Sequence, residues 1–148
     1  MKRTALKRKP AKRRPPGVGC QRKGRKSCRK DAVTTIDGIR LCALDAADRV
    51  FGAHVRGDAS CWGAWFTDVR CGGEWQACHI ITRERRAIRW TRDNVKCMCA
   101  GHHVWFTHHP DAWQAYVRDR GVDFDALRLR GYNGTPQDPM EIIERYRP

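Results

Sequence analysis

The sequence predicts an α+β fold built on one modest hydrophobic core behind a basic N-terminal arm. The chain has 148 residues, enough for one such core and too few for two. Apolar residues recur at helical spacing in "LDAADRVFGAHV". Further on, a short bulky run, "EWQACHII", is bounded by Gly-Gly in the manner of a strand.

Residues 1–19 form the expected disordered basic arm. Residues 1–30 carry fourteen Lys and Arg and no acid, while residues 31–148 carry sixteen of each sign, so the whole net charge of +14 belongs to the N-terminal stretch. With almost nothing apolar to bury and with Pro and Gly to break helices, such a segment does not fold alone. A polyanion is its natural partner, and DNA fits, because each phosphate neutralised releases counterions. The plainer alternative is a solubilising tail. No amphipathic or lipidated segment accompanies the charge, so no membrane partner is expected. With no signal-like stretch and no apolar run of about 18 residues, the chain reads as cytoplasmic.

Residues 20–56 are expected to hold a candidate zinc knuckle and a helix over 45–56, with Leu44, Ala47, Phe51 and Val55 inward and Asp48, Arg49 and Arg56 towards water. Residues 57–131 form the core. A Gly-punctuated loop leads into the strand of "EWQACHII". Next comes "TRERRAIRWTRDN", five arginines and one tryptophan in thirteen residues. It reads as too polar for a core element and suited to lie on a phosphate backbone through Arg83, Arg85, Arg86 and Arg89. "VKCM" returns as a second strand, and "AGHHVWFTH" opens a helix. Pro110 at a first helical position, with Thr107 as a cap, starts another that Gly121 closes. A short helix through "DFDALRLRG" follows, and residues 132–148 make a tail with one more short helix.

In a reducing compartment, eight cysteines point to metal rather than to disulfides. Cys61 and Cys71 flank the loop before the first strand, and Cys99 with His102 makes a C-x2-H knuckle after the second. If the strands pair as a hairpin, the two pairs converge on a closed tetrahedral Cys3His zinc site. Cys97 or Cys78 are rival ligands, Cys97 because it shares a strand face with Cys99. Cys20, Cys28, Cys42 and Asp45 make a candidate second zinc site, the alternative being three plain thiols.

His79 at the end of the first strand, Asn94 before the second and His103 at the start of the helix resemble the constellation of the HNH (His-Me finger) endonucleases, whose ββα-metal finger runs in this order. "WQACHIITRERRAIRWTRDNVKCMCAGHH" is similar to small phage HNH proteins and, more distantly, to phage NinG-type recombination endonucleases, over about residues 41–131. The resemblance implies His79 as general base, Asn94 as the residue that holds the finger and positions the base, and His103 as ligand of a catalytic divalent ion, Mg²⁺ or another. In related sequences a Cys commonly precedes the catalytic His, so His102 in that place accounts for the double His. One departure is Cys78: many family members carry Asp or His there as a second metal ligand, and a thiolate suits hard Mg²⁺ poorly. His108 is a substitute ligand, less favoured because an i, i+5 step separates faces of a helix. His109 is expected to be solvated or to touch phosphate.

By this resemblance the expected activity is metal-dependent hydrolysis of DNA phosphodiester bonds by a phage-encoded enzyme in the host cytoplasm, alongside packaging or recombination proteins. A NinG-type branched-DNA endonuclease is an alternative within the class. A zinc-stabilised DNA-binding protein without cleavage is the alternative outside it, kept open by Cys78.

Overall fold

Two short antiparallel hairpins and five helices make an α+β arrangement in the computed structural model, which describes residues 31–66 and 68–147. The arm over 1–19 and the cysteines at 20 and 28 lie outside the described residues. The chain divides into two units, residues 1–42 and 43–148.

The first unit holds β1 (Thr34–Ile36) and β2 (Ile39–Leu41), paired with Ile36 opposite Ile39. Asp37 and Gly38 make the turn at φ 49° and 73°. A two-residue turn of this kind needs positive φ at both positions, which Asp-Gly tolerates. The sequence reading missed this hairpin although its turn dipeptide was in view.

The second unit begins with α1 (Ala43–Arg56) and one 3₁₀ turn (Trp62–Trp65). Then come β3 (Trp75–His79), β4 (Val95–Cys99), α2 (Ala100–His108), α3 (Pro110–Asp119), α4 (Phe124–Asn133) and α5 (Pro139–Tyr146). β3 and β4 pair antiparallel with Trp75 opposite Cys99 and His79 opposite Val95. α1 buries Ala46, Ala47, Val50, Phe51 and Val55 and packs on β3, β4 and α5. The Tyr146 ring of α5 meets Phe51 edge-on at 5.1 Å. The helix expected upstream of residue 57 and the tail helix expected after 131 therefore belong to the same unit as the residues between them.

Ile80, Ile81, Ile88, Val117 and Leu127 form one apolar cluster, and Cys78, Met98, Phe106 and Tyr116 another. The segment between the strands corrects the sequence reading: Ile88 and Trp90 are 0% and 2% exposed, so this loop supplies core side chains. Burying one Ile contributes about 1.5–3 kcal/mol, enough to hold a polar loop down by a single residue. Thr107 is not a cap for α3, because its hydroxyl donates to the His103 carbonyl at 2.7 Å and His109 takes the capping position without a side-chain bond. α4 and α5 begin with capping aspartates, Asp123 to Ala126 N–H and Asp138 to Met140 N–H. No helix among the described residues is long and apolar enough to cross a membrane.

Candidate metal centre and histidine cleft

The loop before β3 and the start of α2 meet where Trp75 stands opposite Cys99. There the sulfurs of Cys61, Cys71 and Cys99 and a ring nitrogen of His102 all lie within 4.8 Å of one another. His102 Nδ1 is 3.6, 3.7 and 3.1 Å from the three sulfurs. Zinc bonds of about 2.3 Å to sulfur and about 2.0 Å to nitrogen in a tetrahedron space N and S ligand atoms roughly 3.6 Å apart, so the four residues fit a zinc-like ion. This is the set the sequence spacing selects. Of the rivals, Cys78 is 5% exposed among Met98, Phe106 and Tyr116, and neither it nor Cys97 belongs to the cluster.

The surroundings suit metal binding. His102 Nε2 lies 3.1 Å from the Phe66 carbonyl. A carbonyl only accepts, so Nε2 carries the proton and Nδ1 presents its lone pair to the sulfurs, the orientation a histidine ligand needs. Gly63 sits against this ring: a Cβ there would come within 2.9 Å of His102 Cγ. Only glycine lets the 3₁₀ turn, and with it Cys61, approach so closely. Tyr116 ties the same turn to α3 by donating to the Trp62 carbonyl at 2.5 Å. Burial opposes ionisation of both Cys61 and Cys99. At Cys99 the N–H groups of His102 and Gly72 outweigh it and draw the thiol below its ordinary value, whereas Cys61 is pushed up, so Cys99 ionises first.

His79 at the end of β3 and His103 on α2 line one cleft of about 510 Å³, together with Asp48, Arg56, Gln76 and Arg83. His79 Nε2 lies 3.1 Å from the Arg89 carbonyl and must donate to it, which leaves the lone pair on Nδ1. Burial, reinforced by the Arg83 charge, lowers His79 to about 4, so the ring is neutral at pH 7. His103 is lowered by the same two causes. Its Nδ1 meets Gln76 Oε1 at 2.6 Å, so Nδ1–H donates to the amide oxygen and Nε2 keeps the free lone pair. A divalent ion in the cleft could be held by His103 through that nitrogen.

Asn94 is fully buried and has no place in the cleft lining. Its Oδ1 accepts from Ile81 N–H at 2.7 Å, and its Nδ2 donates to the Ile81 and Ile88 carbonyls at 3.1 Å each. One amide thus pins the residues just after His79 to the middle of the loop. Among the four loop arginines expected on a phosphate backbone, Arg83 and Arg86 are exposed. The Arg85 guanidinium lies 3.5 Å over the Tyr132 ring. Arg89 corrects the sequence reading: it is 9% exposed, and its guanidinium is taken by Asp48 and the Arg83 carbonyl, so it does not face a phosphate. His108 is exposed, and His109 stacks on Trp105 at 4.0 Å while meeting the Trp105 carbonyl at 2.8 Å. Of the candidate second zinc set, Cys42 and Asp45 are described, and the other two members are not.

Sequence reading missed Asp48, Gln76 and Gln137. Asp48 was assigned to water by helical spacing, and its partner Arg89 lies 41 positions away, a separation that leaves no local trace. Gln76 had a signal, a polar residue inside an otherwise bulky strand. No protein-family model, no curated protein and no solved structure matches the chain.

Proposed function

We propose that the chain is a metal-dependent endonuclease of the HNH class that hydrolyses DNA phosphodiester bonds, with a structural zinc ion at Cys61, Cys71, Cys99 and His102. The observation that carries the reading is the pairing of His79 and His103 in one cleft beside Arg83, drawn from the strand, loop, strand and helix order of a ββα-metal finger. His79, neutral and with its free lone pair on Nδ1, accepts the proton of an attacking water. Arg83 offsets the charge of the scissile phosphate, and Asn94 fixes the backbone that carries the base. A divalent ion on His103 would supply Lewis-acid stabilisation of the leaving oxygen. The N-terminal basic arm would add affinity without chemistry.

Supercoiled plasmid incubated with the protein in Mg²⁺ or Mn²⁺, with an EDTA control, tests the reading. The expected result is nicked or linear product that EDTA abolishes. Intact plasmid together with a salt-dependent gel shift would instead support a zinc-stabilised DNA-binding protein. That second reading draws on Cys78, which is buried in the core where family members commonly place another metal ligand. A four-way junction in parallel distinguishes a branched-DNA preference.

A further inference from the structure

We infer that Asp48, on α1 and outside the β3–β4–α2 segment, is a positioning residue for His79, holding the Arg89 carbonyl that fixes the imidazole. The inference rests on the reading of His79 as the base. Asp48 Oδ2 accepts from Arg89 Nη2 at 2.6 Å, and Oδ1 accepts from Arg89 Nε at 2.8 Å and from Trp90 Nε1 at 2.9 Å. One carboxylate therefore grips the two side chains on either side of a single peptide bond. The carbonyl of that bond belongs to Arg89 and accepts from His79 Nε2 at 3.1 Å.

The clamp is closed from other directions too. Arg89 Nη1 donates to the Arg83 carbonyl at 3.0 Å, and Trp90 N–H donates to Gln137 Oε1 at 3.0 Å. The Arg89 and Asp48 side chains are 11% and 19% exposed, so the bidentate fork is shielded from water and sets the peptide's orientation rigidly. A free peptide could rotate its carbonyl away, and His79 would then be released to place either nitrogen in the cleft. Holding the tautomer keeps the lone pair on Nδ1. A second ion pair, Arg130 of α4 with Asp93 of the loop at 2.8 Å, has side chains 50% and 67% exposed and does not touch the Arg89 peptide that holds His79, so it serves as a control of similar chemistry.

The test uses the full chain and two variants, Asp48→Asn, which keeps the shape and loses the charge, and Arg89→Lys, which keeps the carbonyl and loses the fork. Zinc content and thermal melting establish folding, and His79→Asn assigns the His79 signals in the side-chain ¹⁵N spectrum. Wild type is expected to show His79 locked with the proton on Nε2. In the folded variants the two ring nitrogens should shift towards each other as tautomers mix. Single-turnover cleavage at saturating DNA should fall about tenfold or more, because the base is no longer held in its reactive orientation, with DNA affinity within about twofold of wild type. Asp93→Asn should change neither readout. A locked tautomer in folded Asp48→Asn and Arg89→Lys would overturn the inference. So would failure of both variants to fold, which would make the clamp purely structural. If wild type cuts nothing, the endonuclease reading fails, while the ¹⁵N spectra still decide whether Asp48 holds His79.

Discussion

The sulfur cluster and the histidine cleft share one hairpin, Cys99 closing β4 and His79 closing β3, yet they are opposites in construction. In the cluster, four ligand atoms face one another within 4.8 Å, and the outer nitrogen of His102 is already taken by Phe66. Although Cys71 is exposed, a set of four ligands leaves a tetrahedral ion no position for a substrate. The cleft has about 510 Å³ of space, and each of its histidines is held by one nitrogen with the other left free. Closed sites contribute folding energy, and open ones leave a position for chemistry. The difference teaches that two sites on one hairpin can be told apart by the lone pairs they leave free, more than by the number of histidines they hold.

The largest effect should come from breaking the closed side. Cys61→Ser removes one ligand of four, and since structural zinc sites are worth on the order of 10 kcal/mol of folding energy, it should lose the metal and the cooperative melt together. Metal analysis after dialysis, with circular dichroism, checks this. A variant that keeps zinc and its melting temperature would deny the cluster its role. On the proposed reading, breaking the open side should act on rate while the zinc site survives. His79→Ala is expected to lower single-turnover cleavage by about 10²- to 10⁴-fold with zinc content unchanged; near-normal cleavage would remove His79 from the chemistry.

Asn94 serves the cleft without entering it. Asn94→Ala strands the Ile81 N–H and the carbonyls of Ile81 and Ile88 in the interior, with a cost of about 2–4 kcal/mol in urea unfolding. A loss below about 0.5 kcal/mol would mean that the loop does not depend on it. The last effect is a pH slope. His79 has an ordinary value of 6.5 and about 4 in the folded chain, so between these the unfolded state binds the extra proton. Its contribution is complete above 6.5 and is lost as pH falls towards 4. At Asp48, burial would raise the carboxyl, but Arg89 and Trp90 outweigh it and hold it below 3.8, so its stabilisation is lost only at still lower pH. Melting temperatures from pH 7.5 to 4.5 should fall more steeply in wild type than in His79→Asn. Equal slopes would mean that His79 is not held neutral. Acid loss of zinc is common to both proteins and cancels in the comparison.

The closed site was more legible than the open one, for a physical reason. A metal cluster advertises itself by residue type: Cys61, Cys71, Cys99 and His102 could be chosen from spacing once two strands were assumed to pair, and they do pair. α2 also runs over the residues expected, Ala100–His108. What holds the cleft histidines is written in backbone carbonyls and in long-range pairs. The Arg89 carbonyl has no side-chain signature, and Arg89 itself looked like a phosphate contact because its partner is on a helix that periodicity had turned towards water. Tertiary pairing overrode the local pattern at both ends of the Asp48–Arg89 bond. Ile88 and Trp90 were hidden in the same way, two apolar residues among charges and too few to register as an element.

The cluster also bears on the order in which the chain comes together. Cys99 and His102 are three positions apart at the start of a helix and can seize a metal ion while everything else is still a coil. Cys61 arrives from 38 positions before Cys99 and Cys71 from 31 positions before His102, and the segment they bring in contains β3, the loop and β4. Closing such a loop costs entropy that grows only slowly with length, about 0.6 kcal/mol for each doubling. An ion captured early by the local pair would act as a clasp, turning the search for a distant strand partner into a short tethered one. Refolding with zinc present from the start should then be faster than refolding with zinc added last, and the nucleating event would be a coordination bond.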